Sequence, residues 1–70
     1  MEPIDAITKV LAEEDGGPLH WTVIQDFALK RGYIDPFTQT DIRKTMLAAL
    51  AEGAKEGVLL KEGKGAYRLP

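Results

Sequence analysis

The seventy-residue chain has no cysteine and one histidine, and aromatic residues make up only 7% of it. Without cysteine there is neither a disulfide nor a thiolate metal site, so apolar packing alone is expected to build the core. The lone histidine has no second imidazole or thiol to join it on a metal or in a catalytic pair. No apolar run approaches the roughly 18 residues that cross a bilayer, and the first segment is acidic where a signal peptide is basic and then apolar. Charge of one sign is scarce too: nine Lys and Arg against eleven Asp and Glu leave a net charge of −2. One intracellular domain over residues 1–70 is expected, cytoplasmic or at the nucleoid or nucleus, with no membrane partner. At 7.7 kDa, a cleft with its own walls, lid and cofactor pocket is hard to accommodate. The expectation is therefore no enzyme, no cofactor, no metal and no small-molecule substrate.

What is present is polarity. Met1 to Leu19 sets Glu2, Asp5, Glu13, Glu14 and Asp15 against Lys9 alone, whereas the tail from Val58 sets Lys61, Lys64 and Arg68 against Glu62. The pI near 5.2 argues against indiscriminate coating of nucleic acid, which draws its affinity from phosphate neutralisation. Any such contact is expected to be local.

Ile4, Ile7, Val10 and Leu11 recur at helical spacing, predicting an amphipathic helix over about Pro3–Glu14 that Asp15-Gly16-Gly17-Pro18 ends. Leu19-His20-Trp21 is long enough only for a bridge of strand. Thr22 with Gln25 three residues on has the spacing of a capping box, so a second helix is expected from Thr22, with Ile24, Phe27 and Ala28 as its stripe and Gly32 as its cap. A third helix, capped by Thr38, Thr40 or Asp41, carries Ile42, Met46, Ala49, Leu50 and Gly53 on its apolar stripe and closes at Gly57. Val58–Lys61 and Ala66–Leu69 flank Glu62-Gly63-Lys64-Gly65, the pattern of a β-hairpin. The class is mainly α with a small β-hairpin, in the order helix, strand, helix, helix, strand, strand.

That order is the order of a winged helix-turn-helix, with three helices and a C-terminal β wing. Gly16-Gly17-Pro18-Leu19-His20-Trp21, then Thr45-Met46 with Ala48-Ala49-Leu50, then Gly63-Lys64-Gly65-Ala66-Tyr67-Arg68-Leu69 resemble the HARE-HTH family of winged helix domains over nearly the whole chain. Met46 stands where that family has leucine, and Asp41 where it often begins the helix with Thr-Pro. The resemblance implies a module of chromatin-associated proteins, of bacterial DNA-modifying systems and of the RNA polymerase delta subunit, in contact with DNA or the transcription apparatus.

The expected DNA-binding residues are Gln39, Thr40, Arg43 and Lys44 around the first turn of the third helix, directed to the major groove, and Lys61, Lys64 and Arg68 on the wing, directed to phosphates. The competing reading is that the helix cations solvate an exposed face and the hairpin lysines discourage edge pairing. The alternative partner is a protein of the transcription machinery, met by the acidic first helix or by Tyr33–Phe37. His20 is expected to bond backbone near the start of the second helix with Trp21 beside it. Glu13-Glu14-Asp15 reads as a solvated surface, since consecutive helix-end residues do not face one another. Gly63-Lys64-Gly65 reads as a turn, because no helix follows it to cradle a phosphate. Ile34 and Phe37 are expected to complete the core under the third helix.

Overall fold

The computed structural model describes residues 1–38 and 41–70. Helix α1 runs Pro3–Glu13, strand β1 Leu19–His20, helix α2 Trp21–Lys30, helix α3 Ile42–Lys55, and strands β2 Leu60–Glu62 and β3 Ala66–Arg68 follow. This is the element order expected from the sequence. The hairpin is part of a three-stranded antiparallel sheet in the order β1-β3-β2, with Leu19 opposite Tyr67 and Lys61 also opposite Tyr67. None of the described helices is long and apolar enough to cross a membrane.

Each element begins or ends for a local reason. Pro3 fits the first turn of α1, where its missing N–H costs nothing. The helix ends as Gly16 N–H reaches back 2.7 Å to the Leu11 carbonyl, and the left-handed turn starts one residue earlier than the glycines, at Asp15 with φ 60°. The cap of α2 is His20 and not Thr22: the backbone N–H of Thr22 points to His20 Nδ1 at 3.3 Å. A capping box therefore does not form, and Gln25 Oε1 lies buried without a hydrogen-bond partner among the described residues. Among the three candidate caps of α3, Asp41 serves, accepting the Lys44 N–H at 3.2 Å. Val58 and Leu59 were expected in a strand; their N–H groups instead both bond the Gly53 carbonyl and finish α3.

The core joins all three helices to the sheet. Ile7, Val10 and Leu11 of α1, Ile24 of α2, Met46 and Leu50 of α3, and Leu59 are fully buried, with Tyr67 nearly so. Truncating any of the leucines to alanine is expected to cost about 2–5 kcal/mol. Gly53 sets the approach of α1 to α3, because a Cβ there would stand 2.8 Å from both Ile4 Cδ1 and Leu59 Cδ1. Ile34 is buried as expected, but Phe37 is 94% exposed. The turn explains the error: Asp35 Oδ1 accepts the Phe37 N–H at 2.9 Å and the Asp35 carbonyl accepts from Thr38. That bonded turn directs the ring to solvent, while Ile34, one residue before it, faces the core.

Candidate nucleic-acid interface

Three chain segments distant in sequence meet at Trp21. Its backbone N–H donates to the Gly65 carbonyl at 2.8 Å, fastening the end of the hairpin turn to the start of α2. The Arg43 guanidinium lies 5.7 Å from the centre of the Trp21 ring, fastening the first turn of α3 to the same point. His20 adds its ring, 5.9 Å from that of Trp21 and tilted by 34°. Gly65 has a positive φ of 73° and passes so close that a Cβ would sit 2.8 Å from His20 Nε2. A side chain there would force the His20 and Trp21 rings aside. The expected structural role of His20 is met, since Nδ1 also lies 2.8 Å from Thr22 Oγ1. For Nδ1 to accept from the Thr22 backbone, the neutral ring must carry its proton on Nε2.

Around this junction the expected contact residues divide. Arg43 and Lys44 are exposed on α3 and, with Leu47 and Ala48, line a shallow surface groove that begins at Asp41. Lys61 and Lys64 are exposed on the hairpin. None of these four cations is in an ion pair with another described residue. Arg68 is different, because its Nε donates to Glu62 Oε1 and its Nη1 to the Leu69 carbonyl. The register accounts for the pair: Leu60, Glu62, Ala66 and Arg68 share one face of the hairpin, and Lys61 shares the other with Tyr67. The three hairpin cations are thus not one cluster. Arg68 is engaged by Glu62, and Lys61 faces away from it. Gln39 and Thr40 lie outside the described residues.

Sequence reasoning missed Trp21 as the joint between hairpin and α3, and missed the apolar lining supplied by Leu47 and Ala48. The second had a signal. At about 100° per residue, positions 48 and 51 fall opposite the stripe of Met46, Leu50 and Gly53 and position 47 at about 90° to it, yet 48 and 51 hold Ala48 and Ala51 where polar side chains are usual, and Leu47 is partly packed against the core.

On another part of the surface, the acidic end of α1 is tied down. Arg31 donates from Nη1 to Glu13 and from Nη2 to Glu14, each at 2.9 Å, and the Tyr33 hydroxyl donates to Glu13 at 2.6 Å. The Arg31 guanidinium also covers the Phe27 ring at 4.4 Å, and Lys9 lies 5.2 Å from the centre of the Tyr33 ring. Donation from Tyr33, opposed by desolvation and reinforced by Arg31, holds the Glu13 carboxyl below its ordinary value. The same bond raises the Tyr33 hydroxyl. Glu13 and Asp15 are exposed, as expected of a solvated surface, but Glu13 and Glu14 are in addition held by Arg31 and Tyr33.

The described residues contain no group of three or more His, Asp or Glu side chains arranged to hold a metal ion. Comparison with known protein families, with curated proteins and with solved structures finds no match to this chain.

Proposed function

We propose that the chain is a winged helix-turn-helix module that binds duplex DNA, with the first turn of α3 in the major groove and the hairpin against the backbone, in transcription regulation or DNA processing. The observation that carries this reading is the junction at Trp21, whose ring meets Arg43 and whose backbone N–H bonds the end of the hairpin turn. Arg43 and Lys44 suit base edges and phosphates from that position, and Lys64 in the turn suits phosphates. Lys61 contributes at the hairpin edge. Arg68 contributes least, since its charge is already met by Glu62. The small number of free cations makes the affinity modest and strongly salt-dependent, with log K falling by about 0.9 per log unit of salt for each phosphate neutralised.

A second reading, a protein-interaction adaptor for the transcription machinery, draws on one observation: the ring of Phe37 stands exposed on a hydrogen-bonded turn. Fluorescence anisotropy with a mixed-sequence duplex separates the two. The DNA reading expects binding that Lys44→Glu with Lys64→Glu weakens about a hundredfold and Phe37→Ala leaves unchanged. Absence of binding at low salt refutes the DNA reading and favours the adaptor.

A further inference from the structure

The crossing of α1 and α3 leaves a surface groove whose floor is Ile4, Ala49, Gly53 and Val58 and whose rim is Glu52 and Glu56. Gly53 is buried beneath this groove, since Ile4 Cδ1 and Leu59 Cδ1 both lie 2.8 Å from where its Cβ would stand. Val58, in the cap of α3, remains exposed at its edge. Glu52 and Glu56 are exposed and pair with no cation among the described residues. Placed four residues apart on one helix face, two carboxylates repel each other. A cationic ligand turns that repulsion into attraction, whereas a neutral or acidic one leaves it in place.

We propose that this groove docks a cationic amphipathic segment of a partner protein, with an apolar side chain against Ile4, Ala49 and Val58 and flanking lysines or arginines against Glu52 and Glu56. The apolar floor selects for the central side chain and the acidic rim for its neighbours, so neither charge nor hydrophobicity alone satisfies the site. On α3 the groove lies about 160° around the helix axis from the face of Arg43, Lys44, Leu47 and Ala48, at about 100° per residue. A duplex on that face leaves the groove open, and the proposal does not depend on DNA binding.

The test is an NMR titration of isotope-labelled protein with a short synthetic peptide in which a central leucine pair is flanked by lysines. Two control peptides replace the leucines by serine or the lysines by glutamate. Saturable shifts of the Ala49, Gly53, Glu56 and Val58 amides are expected with the first peptide alone. Glu52→Gln with Glu56→Gln should weaken it about fivefold or more, and Val58→Lys, at an exposed position, should do the same by adding like charge. Equal shifts with the serine peptide, shifts elsewhere only, or an affinity unchanged in both variants would overturn the proposal. So would the same shifts appearing on concentration of the free protein, which would make a second copy the occupant. Because the probes contain no DNA, failure here leaves the duplex experiment to stand or fall separately.

Discussion

Arg31 and Lys44 are both surface cations of one small protein, and they are held in opposite ways. Arg31 is enclosed by Glu13, Glu14 and the Phe27 ring, and its side chain is only 29% exposed. Lys44 stands on the first turn of α3, and its ammonium pairs with no carboxylate among the described residues. The difference separates charge that fastens the fold from charge left for something else. A count of nine cations in seventy residues makes no such distinction. The hairpin repeats the contrast within a few residues, with Arg68 paired to Glu62 and Lys64 in no ion pair among the described residues.

The comparison breaks most sharply if the two sets of cations can exchange roles. Reversing Lys44 and Lys64 to glutamate is expected to lower duplex affinity about a hundredfold, or about 2.7 kcal/mol. The urea midpoint should barely move, since exposed substitutions of this kind stay within about 0.5 kcal/mol. Arg31→Met should do the reverse, lowering the urea midpoint while leaving anisotropy titrations unchanged.

Acid separates the two sets without mutation. The folded pKa of Glu13 is below its ordinary value of 4.5. Its contribution to stability is therefore present above that value and lost as pH falls through the lowered folded pKa. The raised Tyr33 hydroxyl contributes below its ordinary 10.0, and that contribution is lost as pH rises through the folded pKa. Tyr33→Phe should flatten both limbs of the stability profile measured by circular dichroism.

His20→Ala removes the cap of α2 beside the hairpin and should cost about 1 kcal/mol, with His20→Asn recovering most of it by accepting from the same N–H. The smallest effect sharpens the contrast on the hairpin. Glu62→Gln releases Arg68 and should raise duplex affinity about threefold and steepen the salt dependence by about one phosphate.

Elements set by neighbours in sequence lie where the residues predict them. The stripe Ile4, Ile7, Val10, Leu11 placed α1, and Met46, Leu50 and Gly53 placed the buried side of α3. Asp41 was among the caps foreseen, and the glycines of the hairpin turn lie at positive φ. The reading failed where two donors or acceptors compete or where partners are distant. Thr22 and Gln25 have the spacing of a capping box, but the His20 ring reaches the same N–H first. Arg31 finds Glu13 and Glu14 across 18 and 17 residues, a pairing that helical periodicity does not encode. Phe37 has the composition of a core residue, and only the Asp35 turn turns it outward. The site follows the same rule. Arg43 and Lys44 were legible as exposed on a helix, whereas their junction with the hairpin through Trp21 depends on tertiary contact.

The most direct measurement is an NMR titration of labelled protein with a mixed-sequence DNA duplex, first at low and then at physiological salt. The account predicts salt-sensitive shifts at Arg43, Lys44, Lys61, Lys64 and the Trp21 indole, with the Arg31 and Tyr33 signals unmoved. Shifts centred on Arg31, or none at low salt, would contradict it.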